Sequence, residues 1–141
     1  MKVQEVMTQD VEYVPPSMTL KEAAVKMREG STGFLPIGEA SEDKLQGIIT
    51  DRDIVVRAIA GGKDPEKATV GEARTDKVLY CFQDDTVEHA TESMQAQQVY
   101  RLVVLDNRTD KRLCGVISLG DVVRHDRERL GGQAARGITE K

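Results

Sequence analysis

The chain carries one sequence pattern twice, and this internal repeat limits its possible folds more than any other feature. Gly47–Arg57 reads GIITDRDIVVR, and Gly115–His125 reads GVISLGDVVRH. Identical residues also recur outside this motif, at Val3 and Val70, Glu5 and Glu72, Thr8 and Thr75, Tyr13 and Tyr80, Thr19 and Thr86, Ala23 and Ala90, and Met27 and Met94. Matches this widely spread indicate a duplicated chain. Because half of 141 residues buries too little apolar surface to be stable alone, we expect the two repeats to pack on each other.

The hydrophobic periodicity predicts the element order β-α-β-β-α in both repeats. The first strands are expected at Val11–Val14 and Val78–Phe82. Pro15 and Pro16 close the first of them, because proline cannot donate a ladder hydrogen bond. The other predicted elements are strands Phe34–Ile37 and Lys44–Thr50 with a helix Asp51–Ala60, and strands Leu102–Asp106 and Arg112–Ser118 with a helix from Leu119 to about Arg129. This order predicts an α+β fold with two small mixed sheets, each carrying helices on one face.

The first helix of each repeat has a start signal and an apolar stripe. Thr19 is followed three positions later by Glu22, which is a capping-box pattern, and Gly30 and Gly33 are expected to end the helix. Core-facing residues are predicted at helical spacing, namely Leu20, Ala23, Ala24 and Met27, and again Val87, Ala90, Thr91 and Met94.

The linker GGKDP at Gly61–Pro65 marks the break between the repeats. We therefore assign residues 1–65 to the first repeat with its linker and residues 66–130 to the second. The polar, glycine-containing residues 131–141 are expected to form a flexible C-terminal tail.

The duplicated motif places a hydroxyl residue and an aspartate where a strand runs into a helix. Thr50 precedes Asp53 by three positions, and Ser118 precedes Asp121 in the same way. The first N–H groups of a helix lack internal partners and carry partial positive charge, so anionic or sugar-bearing ligands favour such places. The same spacing also allows the two side chains to cap the helix by themselves. The residues alone leave both interpretations open.

Composition and motifs narrow the class of protein. A net charge of −4 and a pI near 5.3 argue against a nucleic-acid-binding protein. The N-terminal residues lack the apolar core of a signal peptide, and no apolar run approaches the roughly 20 residues of a membrane helix, so we expect a cytoplasmic protein. Cys81 and Cys114 lack CxxC spacing and are expected to be buried, reduced thiols, and with two histidines no metal site is expected. Neither a catalytic triad nor a phosphate-binding loop is present, which makes an enzyme the least expected class.

Five segments together resemble a tandem pair of cystathionine-β-synthase (CBS) domains over nearly the whole chain. They are VMT at Val6–Thr8, GFLPI at Gly33–Ile37, GIITDRD at Gly47–Asp53, RLVVLD at Arg101–Asp106 and GVISLGD at Gly115–Asp121. ITDRDIV and the GGKDP linker are most similar to stand-alone bacterial CBS pairs of the hypoxic-response type. YRLVVLD with GVISLGD is similar to a nucleotide-binding repeat in the regulatory subunit of AMP-activated kinase. The resemblance implies two repeats related by pseudo-two-fold symmetry and packed through their sheets.

The resemblance also implies clefts between the repeats that hold a non-covalent adenosyl ligand such as AMP, ADP, ATP or S-adenosylmethionine. In the family, the motif aspartate accepts hydrogen bonds from the ribose hydroxyls, which corresponds to Asp53 and Asp121. The motif hydroxyl, here Thr50 or Ser118, contacts ribose or phosphate. Arg101 matches an arginine that contacts phosphate, a task that suits a planar guanidinium.

Other positions extend this implied site or depart from it. Thr8 and Val11 match residues near the cleft and are candidates for the wall around the base. The first repeat has Gly33 and Phe34 where the second has Tyr100 and Arg101, so one phosphate contact is missing. Arg52 is a candidate to supply charge from another direction.

Two functional hypotheses follow from the resemblance. The first is a regulatory module that senses adenine nucleotides through these clefts. The second is a ligand-free CBS pair that acts as a structural or interaction protein, with both aspartates only capping helices. In either case the resemblance implies a homodimer, and the output is expected to pass through an unidentified effector protein or through self-association.

Overall fold

Two small β-sheets organise the computed structural model, which describes residues 1–9, 11–39, 41 and 44–126. The small sheets and the helices packed with them confirm the predicted α+β class, although the strands of the two-stranded sheet are antiparallel. The described residues fall into two compact units. We call them the two-stranded unit, drawn from the described residues within Val11–Leu79 and Lys111–Leu113, and the three-stranded unit, drawn from those within Met1–Asp10, Tyr80–Asp110 and Cys114–Lys141.

The two-stranded unit is built on an antiparallel hairpin. Its elements are helix α1 (Leu20–Gly30), strands β1 (Phe34–Glu39) and β2 (Lys44–Thr50), a π-helix (Asp53–Ile59) and the short helix α2 (Val70–Ala73). The hairpin pairs Phe34 with Thr50. The strand predicted at Val11–Val14 is reduced to one parallel bridge between Val14 and Ile37, because the prolines that follow cannot donate further ladder bonds.

The three-stranded unit has the strand order β3-β4-β5. Its elements are a 3₁₀ turn (Val3–Glu5), strand β3 (Tyr80–Phe82), helix α3 (Val87–Gln97), strands β4 (Arg101–Leu105) and β5 (Leu113–Ser118), and a last helix, α4, described over residues 119–126. Strand β3 runs parallel to β4 and pairs Cys81 with Val104. The predicted end of α4 near Arg129 and the tail at residues 131–141 lie outside the described residues.

Each unit takes a bridging segment from the other sequence repeat. Thr8, from the first repeat, bridges Val116 through two backbone hydrogen bonds of 2.9 and 3.0 Å. Thr75, from the second repeat, bridges Ile48 through bonds of 3.1 and 2.8 Å. The compact units and the sequence repeats therefore divide the chain at different places.

The aliphatic core follows the predicted helical stripes in part, because Val87 and Thr91 are only half-buried. Leu20, Ala23 and Met27 of α1 are buried, as are Ala90 and Met94 of α3. Ala24 is exposed, because an open cavity lies beside it at the edge of the stripe.

Both long helices end in a left-handed residue that is not glycine. Helix α1 includes Gly30, and Ser31 with φ 51° takes the left-handed position that the sequence suggested for a glycine. Gln98 with φ 56° does the same after α3. In both, the N–H of the left-handed residue donates to carbonyls of the last turn, which satisfies groups that the helix end would otherwise leave unpaired.

Candidate functional site

In the three-stranded unit, the motif side chains cap the start of α4. The Ser118 Oγ accepts a hydrogen bond from the Asp121 N–H at 3.0 Å, and the Asp121 Oδ2 accepts one from the Ser118 N–H at 2.9 Å. The second carboxylate oxygen, Oδ1, accepts a hydrogen bond from Nη2 of Arg124. Asp121 is only 8% exposed, whereas the Arg124 side chain is 67% exposed. The carboxylate is therefore buried, but its cation stands in solvent.

In the two-stranded unit, the matching residues make the same reciprocal cap. The Thr50 Oγ1 accepts from the Asp53 N–H at 3.1 Å, and the Asp53 Oδ2 accepts from the Thr50 N–H at 3.0 Å. Asp53, 6% exposed, has two further partners. The Thr75 hydroxyl lies 3.1 Å from both carboxylate oxygens, and the Arg57 Nη1 lies 3.4 Å from Oδ1. The capping bonds are thus made at both aspartates, and these caps leave carboxylate lone pairs for other donors.

The motif glycines let the bridging segments approach. A Cβ built on Gly115 would lie 2.6 Å from the carbonyl oxygen of Thr8, and one on Gly47 would lie 3.1 Å from the carbonyl oxygen of Thr75. A strand glycine often marks such a close backbone approach. These glycines therefore bring Thr8 and Thr75 next to the strands that end in Ser118 and Thr50.

Four of the predicted site residues belong to the three-stranded unit. Thr8 is exposed and bridges β5 two residues before Ser118, which caps α4 with Asp121. Arg101 begins β4, and the N–H of Leu119 donates to the carbonyl of Tyr100 at 2.7 Å. Because Arg101 and Ser118 flank this bond on neighbouring strands, both lie at the same end of the sheet.

The other four belong to the two-stranded unit. Thr50 and Asp53 are joined in their cap, whereas Arg52 is exposed on the helix start and Val11 is half-buried. Arg52 donates its backbone N–H to Asp51 at 2.8 Å. Thr50 and Asp53 are thus the only pair among these four joined by a hydrogen bond that the described residues show.

Three partners of the motif aspartates were missed from the sequence: Arg57, Arg124 and Thr75. Two of them had a usable signal, since Arg57 and Arg124 lie four and three positions after their aspartates, the spacing of side-chain neighbours on a helix. Thr75 aligns with Thr8, but its contact with Asp53 joins residues 22 apart in the chain and has no local signature.

A cavity of about 360 Å³ opens beside the position where the first repeat lacks its arginine. It is lined by Ala24, Met27, Arg28, Ser31, Thr32, Gly33, Asp51, Ile54 and Val55. A Cβ on Gly33 would lie 2.8 Å from the carboxyl carbon of Asp51. A carboxylate therefore stands next to the residue aligned with Tyr100, which makes this place unfavourable for a phosphate.

The thiols and the other candidate ligands show no reactive or metal-binding arrangement in the described part of the chain. Cys81 and Cys114 are free thiols, but only Cys81 is buried as expected, and Cys114 is half-buried. Burial raises their pKa values to about 12 and about 11. Among residues 1–9, 11–39, 41 and 44–126, no three His, Cys, Asp or Glu side chains are grouped so as to hold a metal ion. None of the helices in those ranges is both long and apolar enough to span a bilayer.

Comparison with known proteins assigns this architecture to a family. The sequence pattern of the CBS domain matches the chain twice, at residues 3–59 and 70–128. The chain therefore belongs to the CBS domain family, as a tandem pair. Hypoxic response protein 1 of Mycobacterium tuberculosis is 36% identical over 134 residues, which are 95% of this chain and 91% of that protein.

Two solved structures share the fold and cover most of both chains. The crystal structure of Hypoxic Response Protein I with two coordinated zinc ions has a TM-score of 0.75 at 35% identity and covers 89% of this chain and 98% of that one. The CBS domain pair of protein MJ0100, in complex with 5′-methylthioadenosine and S-adenosyl-L-methionine, has a TM-score of 0.77 at 25% identity and covers 92% of this chain and 98% of that one.

Proposed function

We propose that this CBS pair is a regulatory module that binds an adenosine-bearing ligand, AMP, ADP, ATP or S-adenosylmethionine, through its motif aspartates. The observation that carries the proposal is the buried carboxylate of Asp121, which shares one sheet end with Ser118 and Arg101. A carboxylate only accepts hydrogen bonds, and the cis-diol of ribose offers two adjacent donors. The adenosyl ligands of the MJ0100 pair support the same ligand class.

The contacts of Asp121 allow such a ligand to enter. Its Oδ2 is used by the cap, and its Oδ1 is used by Arg124, whose side chain is mostly in solvent. Because the Arg124 guanidinium is largely solvated, a ribose hydroxyl can replace it at Oδ1 while the cation stays in water. Arg101 then supplies the cation for a phosphate at the same sheet end.

Calorimetry with AMP and adenosine tests the proposal. Asp121→Asn keeps a carbonyl oxygen for the Ser118 N–H but loses the charge and one acceptor, so it should weaken both ligands. Arg101→Ala should weaken AMP by about one to two decades and leave adenosine nearly unchanged, because a hydrogen bond to a charged group contributes roughly 1.5–3 kcal/mol. Equal losses of AMP and adenosine in Arg101→Ala would remove Arg101 from the phosphate site.

The second candidate function is a ligand-free structural or interaction module. The observation that favours it is that both aspartates already have protein partners, as simple helix caps would. A thermal-shift screen of AMP, ADP, ATP, S-adenosylmethionine and NADH separates the two. Ligand at 100 times its dissociation constant should raise the unfolding free energy by about 2.7 kcal/mol, and no shift with any compound would favour the structural module.

The proposal includes a homodimer that signals without catalysis in the cytoplasm, through an effector protein rather than a nucleic acid or a membrane. Met27 and Met94 are 6% and 2% exposed, so these two side chains are not available for pairing. The large apolar side chains that remain exposed in the described residues include five within or just after the two motifs, namely Val55, Val56, Ile59, Leu119 and Val123. Sedimentation should show a species of about twice 15.6 kDa, and a monomer at micromolar concentration would contradict the dimer.

A further inference from the structure

The two motif aspartates make the same cap but differ in what holds their remaining lone pairs. Asp121 is joined to Arg124, a neighbour on its own helix. Asp53 is joined to Arg57 on its own helix and also to Thr75, which is 22 residues away in the chain. The Asp53 carboxylate is therefore tied to a second segment by a side-chain contact.

The Thr75 hydroxyl stands where a ribose diol would have to donate. It lies 3.1 Å from Oδ1 and 3.1 Å from Oδ2, so its one proton is shared between both oxygens. Its position is set by the backbone bridge to Ile48, whose two bonds of 2.8 and 3.1 Å hold the segment against β2. The same segment is held by Arg57, whose Nη1 lies 3.4 Å from the carbonyl oxygen of Arg74.

The solvent exposure of the partner side chains is a further difference between the Asp53 and Asp121 sites. Arg124 can leave Asp121 for water, because its side chain is 67% exposed. Thr75 is only half-exposed and is anchored by its backbone, so losing Asp53 would leave its hydroxyl to find a new partner within a constrained segment. A ligand therefore meets a stronger internal competitor at Asp53 than at Asp121.

We propose that Thr75 is a specificity-determining residue that closes the Asp53 site by occupying its carboxylate in place of ribose. The inference rests on the proposed function, because it takes Asp53 as a ribose acceptor. It assigns the inequality of the two sites to a hydroxyl inside the protein, in addition to the missing arginine of the first repeat. Removal of the Thr75 hydroxyl should make the Asp53 carboxylate available to ribose.

The test measures adenosine binding by calorimetry in the Asp121→Asn background, which weakens the Asp121 site and so makes binding at the Asp53 site easier to detect. Adding Thr75→Val keeps the β-branched shape but removes the donor, and should tighten adenosine binding by about tenfold, the loss of one competing hydrogen bond to a charged group. Thr75→Ser keeps a hydroxyl and should behave as the parent does. Thr8→Val, at the matching position of the other repeat, should give no gain. Circular dichroism establishes that each variant is folded.

The outcomes separate the inference from the proposed function. Tighter adenosine binding with Thr75→Val, but not with Thr75→Ser or Thr8→Val, supports the inference. It does so even if the wild type binds no adenosine, although absence of binding by the wild type would contradict ribose binding at Asp121. Unchanged or weaker binding with Thr75→Val, while the wild type binds, overturns the inference and leaves the proposed function standing. Absence of adenosine binding in every protein overturns both.

Discussion

Gly115 and Gly47 occupy the same place in the two repeats but have different amounts of space. A Cβ on Gly115 would meet the Thr8 carbonyl oxygen at 2.6 Å and the Met7 sulfur at 2.8 Å. A Cβ on Gly47 would meet the Thr75 carbonyl oxygen and the Arg74 Cδ at 3.1 Å each. We expect Gly115→Ala to lower the unfolding free energy by about 1–3 kcal/mol, because a backbone bridge must move, and Gly47→Ala to cost less.

Chemical denaturation of both glycine variants gives this comparison directly. Each glycine serves as the control for the other, since the residues around them come from matching sequence. Equal losses of unfolding free energy at the two positions would mean that the backbone bridges shift easily and that the difference in spacing has no effect on stability.

The two cysteines are expected to stay unpaired. Cys81 pairs with Val104 on one side of β4, and the Cys114 thiol contacts the Val104 carbonyl at 3.5 Å from the other side. Neighbouring strands lie about 4.8 Å apart, which puts the two Cα atoms roughly 10 Å from each other, beyond the reach of about 7 Å for a disulfide. Mass spectrometry after rapid alkylation of the unfolded chain should find two free thiols, and an intramolecular disulfide would contradict the strand order.

The same thiols predict how stability depends on alkaline pH. Burial raises the pKa of Cys81 from 9.0 to about 12, so the folded state favours the protonated thiol more than the unfolded state does. The stability that Cys81 adds to the folded state is therefore fully present below pH 9 and is lost as the pH rises toward 12. Cys81→Val should flatten the fall in melting temperature over that range, whereas an unchanged slope would assign the fall to other groups.

At the scale of elements, the cap of α1 gives a pH-dependent prediction. Thr19 and Glu22 form the full capping box, and the N–H and hydroxyl of Thr19 lower the pKa of Glu22. The stability that the ionised Glu22 carboxylate adds to the folded state is present above the usual glutamate pKa of 4.5 and is lost as the pH falls through the lowered pKa. Thr19→Ala should cost about 1 kcal/mol at neutral pH and less in acid.

Thr86 is the matched control for this cap. Its hydroxyl accepts the His89 N–H at 3.0 Å, but His89 stands where a carboxylate would close the box. Thr86→Ala should therefore destabilise the protein by an amount that does not decrease toward pH 3. Thermal melts of both variants from pH 7 to pH 3 measure the difference, and parallel curves would mean that the Thr19 hydroxyl does not stabilise the helix through Glu22.

The elements that the sequence predicted are those set by local chemistry. The capping pattern at Thr19 and the strands before Thr50 and Ser118 depend on neighbours within a few residues, and the structure confirms them. The π-helix at Asp53–Ile59 was not predicted, because apolar spacing does not distinguish it from an α-helix. Ser31 was missed as the left-handed cap because a glycine stood directly before it.

At the scale of the whole molecule, the difference between the compact units and the sequence repeats predicts which fragments of the chain fold. The core of the two-stranded unit includes Ala68, Val70 and Ala73, which follow the linker. A fragment of residues 1–65 lacks them, whereas residues 11–79 contain the whole of that core. We expect fragment 11–79 to keep more helical circular dichroism than fragment 1–65, which should show no cooperative melt. A sharp transition in 1–65 as a monomer would contradict this.

The candidate site was predictable in its residues and less so in its contacts. Asp53, Asp121 and their hydroxyl partners follow from a repeated motif, and the caps among them follow from helix chemistry. Thr75 contacts Asp53 across 22 residues of chain, from the other sequence repeat, and a contact between such distant residues leaves no pattern in the local sequence. Ligand binding at these residues stays a prediction until it is measured.

Because each unit takes its bridging segment from the other sequence repeat, cutting the chain between the repeats should not separate the two units into two pieces. Hydrolysis between Gly62 and Lys63 would leave two polypeptides, and each compact unit would draw residues from both of them. The two pieces should then reassemble in trans, with a melting temperature that rises with their concentration as in any bimolecular association.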